Sequence, residues 1–134
     1  MQRLLYISTA RTPLDQTEID TLLRLSRRNN AAAGVTGLLV VGGRRFMQAL
    51  EGPIDAVEAV YDRICRDTRH FAVVMLTRQP IEQRMFDGWA MGYRAGPDPT
   101  GTALPEVVES LTATIDDPTL RAYFTGFADV HASS

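Results

Sequence analysis

Three glycine-bearing breaks constrain this chain more than any other feature, because Gly34, Gly42-Gly43 and Gly52-Pro53 divide one stretch into helical, extended, extended and helical pieces. Val35 to Val41 is an apolar run and Arg44 to Glu51 alternates, so the diglycine between them reads as the turn of a β-hairpin. Upstream, Asp15 followed by Glu18 is a capping-box pattern, and Ile19, Leu22 and Leu23 begin a helical stripe that continues to about Asn30. Downstream, Pro53 suits the first helical position, where its missing N–H costs no intrahelical bond. Ile54, Val57, Val60, Tyr61 and Ile64 supply a buried stripe ending near Asp67.

A hairpin between two amphipathic helices needs further strands to complete its sheet. Gln2 to Thr9 alternates, with Leu4, Tyr6 and Ser8 on one face and Leu5 and Ile7 on the other. Phe71 to Leu76 is β-rich, Pro80 and the charged run to Arg84 read as a connector, and Trp89 to Tyr93 reads as a short final strand. The order β-α-β-β-α-β-β is an α+β, ferredoxin-like sheet with one added strand and both helices on one face. That leaves the other face bare. Leu104, Val107, Val108, Leu111 and Ile115, then Leu120, Tyr123, Phe124 and Phe127 behind Asp117-Pro118, have helical spacing. The expected organisation is a domain over 1–95 and an extension over 96–134 whose two helices cap the bare face, bind a partner, or both.

The totals narrow the function. A chain of 134 residues holds one domain of ordinary size. A net charge of −2 provides no field for a polyanion, so nucleic acid is not an expected partner. No apolar stretch is long enough to span a membrane, and MQRLLYIST lacks the core and cleavage site of a signal peptide, so a cytoplasmic location is the default. Cys65 is the only cysteine, which excludes an internal disulfide; it reads as a small core residue, and no metal site is expected. There is no glycine-rich phosphate loop and no Ser-His-Asp spacing of a hydrolase, so no catalytic residue is assigned.

The positive signal is a set of polar residues where the pattern demands core. Continuing the first helix's stripe by its own period lands on Ser26, Asn29 and Asn30. Gln48 lies between Phe46 and Leu50 on one face of its strand, and Tyr6 lies between Leu4 and Ser8. A buried amide left unbonded costs roughly 1–3 kcal/mol. In a ferredoxin-like sheet the first strand and the hairpin's second strand are central neighbours, so Tyr6 and Gln48 meet beneath the first helix. The polar positions of that helix approach the same space. The result is a slot with apolar walls and a few hydrogen-bonding groups, suited to a flat heteroaromatic ligand with polar edges. Of the two histidines, His131 is in the tail, and His70 is either a helix-end charge or a ligand contact.

The segments carrying these residues, RLLYIS, SRRNNAAAGVTGLL, RFMQALEGP, YDRICRDTRH and FDGWAMGY, together resemble the BLUF family of flavin blue-light receptors, in order and at compatible spacing over residues 1–95. The resemblance implies a flavin between the two main helices: FAD, with FMN or riboflavin as alternatives. It implies that Tyr6 donates an electron to the excited flavin and that Gln48 stands between the phenol and the ring. Asn30 would bond the carbonyl edge of the ring, with Ser26 and Asn29 nearby and Arg63, Asp67 and His70 near the flavin's side chain. Trp89 and Met91 match the mobile tryptophan and methionine of the last strand. By the same resemblance, light rewires hydrogen bonds and shifts absorption slightly to the red. The tail then signals to a downstream effector protein, and a homo-oligomer is expected. The rival readings are a light-independent ligand-binding or dimerisation module, a flavin redox enzyme, and an acylphosphatase-like hydrolase; the last would need a glycine-rich anion loop, which Ser8 to Pro13 lacks.

Overall fold

The computed structural model describes residues 1–12, 15–42, 44–86, 92–95, 108–109, 113 and 117–131, with the backbone only at 92–95 and 131. Its elements are β1 (Gln2–Ala10), α1 (Gln16–Ala33), β2 (Thr36–Gly42), β3 (Arg45–Gly52), α2 (Ile54–Arg66), β4 (His70–Pro80), β5 (Gly92–Ala95) and α3 (Pro118–His131). The five strands form one sheet in the order β4-β1-β3-β2-β5. The first four neighbours run antiparallel, and β5 adds to β2 in parallel. This is the expected ferredoxin-like arrangement with β1 and β3 in the centre.

Local chemistry sets the element ends. Asp15 accepts from the backbone N–H of Glu18 at 2.8 Å, satisfying a donor that the first turn of α1 leaves unpaired. Ala31 to Ala33, all strong helix formers, carry α1 beyond Asn30 until Gly34 turns left-handed at φ 72. Val35 N–H then donates to Asn30 O at 2.8 Å. Gly52 has φ 157, and a Cβ there would stand 2.8 Å from the carbonyl oxygen of Gly34, so only glycine lets the end of β3 pass the end of α1.

Each face of the sheet has its own core. Leu4, Tyr6, Leu39, Val41 and Leu50 face Leu23 of α1 and Val57 and Val60 of α2. Leu5, Leu38, Val40, Met47 and Ala49 face Leu120, Phe124, Phe127 and Ala128 of α3, with Phe86 and Val108. The tail therefore caps the bare face. Asp117 begins α3 by accepting from Thr119 and Leu120 N–H at 3.0 and 3.1 Å. Of the other expected tail helix, only Val108 and Glu109 are described as helical; the rest of that segment lies outside the described residues.

Four details depart from expectation. Pro53 is one position earlier than predicted, with an extended ψ of 139, so its carbonyl rather than its ring starts α2. Ile54 is 52% exposed, because the first helical residue has not yet reached the sheet. Cys65 is exposed rather than in the core, one position beyond the buried stripe that ends at Ile64. Pro80 is no connector; it closes β4 opposite Gln2, at the edge of the sheet, where a missing N–H does no harm. The last strand is described over Gly92–Ala95, whereas Trp89 to Met91 of the expected strand lie outside the described residues.

Phe124→Ala is expected to cost about 3–5 kcal/mol in urea unfolding followed by circular dichroism, because it removes a fully buried ring. Val130→Ala, at a position 71% exposed on the same helix, is expected to stay within about 0.5 kcal/mol. Equal small costs would mean that α3 does not rest on the sheet.

Candidate functional site

The β1–β3 register sets Leu4 opposite Leu50, Tyr6 opposite Gln48 and Ser8 opposite Phe46. Tyr6 Oη donates to Gln48 Oε1. Both residues are nearly inaccessible to solvent. The ring of Tyr6 also meets Tyr61 of α2 edge-on, with centroids 5.6 Å apart and planes at 61°. Burial pushes the Tyr6 phenol well above its ordinary value, and the neighbouring Cys65, Tyr61 and Asp67 add to the rise. Tyr61 is pushed up to about 12, first by burial and then by its hydrogen bond with Cys65. Tyr6 is therefore a neutral phenol with its proton aimed at an amide oxygen.

Above this pair, between α1 and α2, lies a cavity of about 230 Å³. Ser26, Asn29 and Asn30 line it from α1, Arg63 and Ile64 from α2, and Asp67, Arg69 and His70 from the turn into β4. All seven of the residues predicted to hold a cofactor, Gln48 included, are on its wall. They differ in depth: Asn30 is buried, Ser26 half-buried and Asn29 exposed. Leu22, Leu39, Phe46 and Val60 supply apolar walls.

His70 enters this wall through an irregularity in β4, whose register with β1 shifts between Ile7 and Thr9. Ala72 sits there at φ 53, an uncommon conformation for a residue with a Cβ. The imidazole bridges two elements: Nε2 lies 2.5 Å from Ile64 O and Nδ1 lies 3.1 Å from Ser8 Oγ. A carbonyl can only accept, so Nε2 carries hydrogen and Nδ1 meets the Ser8 hydroxyl.

Arg69 is the functional candidate that sequence reasoning passed over. Its guanidinium donates to both oxygens of Asp67, and this bond, opposed by partial burial, holds the Asp67 carboxyl below the usual range. The turn at 67–69 folds Arg69 back toward the cavity, and only the neighbouring Asp67 and His70 hinted at it. Beyond Arg69 lies a second recess of about 210 Å³, lined also by Thr17, Glu18, Thr21 and Leu22. Leu22 and Arg69 belong to both walls.

The apolar walls, the polar rim and the phenol–amide pair on the floor together fit a flat, redox-active heteroaromatic ring such as a flavin. Trp89 and Met91, the other two predicted photoactive residues, lie outside the described residues. Among the described residues no group of three metal-ligating side chains comes together, and no helix is long and apolar enough to cross a membrane.

Comparisons with known proteins identify the family. The family profile described as "BLUF: Sensors of blue-light using FAD" matches residues 1–92. Photoactivated adenylate cyclase subunit beta of Euglena gracilis is 37% identical over 83 residues, 62% of this chain and 10% of that protein. The blue light- and temperature-regulated antirepressor BluF of Escherichia coli (strain K12) is 31% identical over 122 residues, 91% of this chain and 29% of that protein. The chain thus spans less than a third of these relatives' length. The dark-state structure of BlrB, a BLUF protein, superposes with a TM-score of 0.74 at 26% identity, covering 96% of each chain. Klebsiella pneumoniae BlrP1 superposes with a TM-score of 0.79 at 26% identity, covering 96% of this chain and 32% of that one. With the sequence motifs, the sheet order, the cavity between the helices and the family profile all in agreement, this chain belongs to the BLUF family of blue-light sensors.

Proposed function

We propose that this chain senses blue light through a flavin in the cavity between α1 and α2 and signals by a change in the Tyr6–Gln48 hydrogen bond. The observation that carries this reading is that bond itself, a buried phenol donating to a buried amide on the cavity floor. Polar groups bonded to each other in a low-dielectric core hold a defined arrangement, which a proton path can use.

Bound flavin would supply the blue absorption and an excited state that takes an electron. The remaining steps belong to the protein. Tyr6 is the electron donor, and its proton lies on a bond to Gln48 Oε1, so electron loss and proton transfer are coupled. Because burial keeps the phenol protonated, no step begins from phenolate. Return of the electron and proton restores Tyr6, but the carboxamide of Gln48, which both donates and accepts, can be left rotated or tautomerised. Asn30, Ser26 and Asn29 hold the polar edge of the ring; Arg63, Asp67 and His70 hold its side chain; Trp89 and Met91, which precede β5 in the sequence, take up the change.

FAD is the proposed cellular ligand, because the second recess beyond Arg69 offers room for a tail longer than that of FMN or riboflavin. The chain acts as a sensor module rather than a catalyst. Residues 1–95 form the photosensory unit, and 96–134 cap it and meet an effector protein in the cytoplasm. A homo-oligomer is the proposed assembly.

Spectroscopy tests the reading. Gln48→Leu is expected to retain bound flavin and lose the reversible red shift under blue light; a normal shift would remove Gln48 from the mechanism. Tyr6→Phe is expected to stay yellow without a productive photocycle, and an intact one would place the electron source elsewhere. In the unsubstituted protein the amplitude of the shift is expected to be constant up to about pH 10, the ordinary phenol value, because the Tyr6 pKa is raised and its proton is retained. Loss of the shift near neutral pH would contradict that assignment. A purified protein that takes up no flavin at all would favour a light-independent ligand-binding or dimerisation module.

A further inference from the structure

Three residues from Tyr6 and Gln48, on the opposite face of the same two strands, the sheet buries a charge pair. Arg3 stands opposite Glu51 in the β1–β3 register, and an odd separation along a strand reverses the side chain's face. Arg3 is 3% exposed and Glu51 fully buried. Glu51 accepts from Arg3 Nε at 2.8 Å, from Met85 N–H at 3.0 Å and from Phe86 N–H at 2.9 Å. The guanidinium's other arm donates to Asp117 Oδ2 at 3.3 Å, and Gln79 Nε2 donates to that same oxygen at 3.0 Å. The other oxygen of Asp117, Oδ1, caps α3.

Such a cluster is a poor device for stability alone, since a buried ion pair often contributes less than apolar side chains of equal volume. Its connections are more informative. One carboxylate and one guanidinium join the two strands that carry the photoactive pair to the chain just before residues 87–91 and to the first turn of α3.

We infer that Arg3, Glu51 and Asp117 form the linkage by which a change at Tyr6 and Gln48 reaches the tail. The inference rests on the light-sensing reading above. A rearranged Gln48 alters the β1–β3 contact at one cross-strand pair, and Arg3–Glu51 is a buried polar pair on the far face that responds to the same two backbones. Glu51 then shifts its hold on residues 85 and 86, and Arg3 shifts its hold on Asp117. These three are positioning residues; none lines the cavity.

Asp117→Asn separates linkage from capping. The amide oxygen can still cap α3, since asparagine caps as well as aspartate. The NH2 group, however, replaces the oxygen that faces two donors, Arg3 and Gln79, so the link is broken. The test is hydrogen exchange of α3 amides in the dark and under blue light, with the absorption shift recorded on the same flavin-loaded samples. The unsubstituted protein is expected to show a light-minus-dark difference in α3. Asp117→Asn and Glu51→Gln are expected to keep the red shift and lose most of that difference, whereas Glu58→Gln, which disturbs the Glu58–Arg78 pair and leaves an amide oxygen to accept from Gln2, is expected to keep both. If Glu51→Gln does not fold, Asp117→Asn, at a side chain 25% exposed, decides alone. A full difference in α3 with the red shift intact in Asp117→Asn overturns the linkage, as does an unsubstituted protein whose absorption shifts while α3 exchange does not. Absence of any red shift in the unsubstituted protein sinks the sensor reading instead.

Discussion

The antiparallel register of β1 on β3 is the constraint on which both faces of this protein depend. Side chains alternate along a strand, so one register decides every pairing on both surfaces at once. Leu4 opposite Leu50 and Tyr6 opposite Gln48 follow on the helix side, and Leu5 opposite Ala49 and Arg3 opposite Glu51 on the tail side. A slip of one residue would turn Tyr6 away from the cavity and set Arg3 among the apolar contacts of α2. Apolar pairs resist that slip by packing, and the Arg3–Glu51 pair resists it by the cost of separating buried charges.

The cavity is the place where ordinary core rules are relaxed. Elsewhere on the helix face the sheet presents leucine and valine to α1 and α2, but here it presents a phenol and a carboxamide, while α1 contributes a buried asparagine. Burial raises the pKa of the phenol because it penalises the charged form, Cys65, Tyr61 and Asp67 add to the rise, and the neutral phenol donates its hydrogen bond to the amide oxygen. The same desolvation makes any exchange of donor and acceptor at Gln48 energetically large. A small chemical change on the floor therefore alters the hydrogen-bond energy more than it would in a solvated pair.

Much of this was legible in the sequence, because the decisive features are local or periodic. The capping box at Asp15 and Glu18, the glycine breaks and the two-residue alternation of Leu4, Tyr6 and Ser8 are each read within a few positions. Strand order followed from the ferredoxin-like pattern, and once Tyr6 and Gln48 were central neighbours the cavity wall followed from the stripe of α1. What escaped depended on contacts between distant segments. Nothing at Arg3 or Glu51 distinguishes them from ordinary surface charges until the register sets them opposite each other beneath α3. Arg69 required the geometry of one turn, and Cys65 was misjudged because a single step of 100° past Ile64 carries a side chain from core to solvent. The length of β4 likewise came from its pairing with β1, which draws Arg78, Gln79 and Pro80 into the sheet against their weak strand preference.

The two faces answer to different demands. On the helix side an oxidisable group, an amide and a polar rim must stand in fixed relation around about 230 Å³, and few substitutions preserve that chemistry. On the tail side Leu120, Phe124 and Phe127 need only match the volume and shape of Leu5, Leu38 and Val40, a condition many sequences meet. The one stringent feature there is polar: Glu51 must satisfy two backbone N–H groups and a guanidinium at once. On the reading proposed above, a sensor built this way keeps its photochemistry constant while the layer that reports it is remodelled for another partner, provided the buried link between the faces is retained.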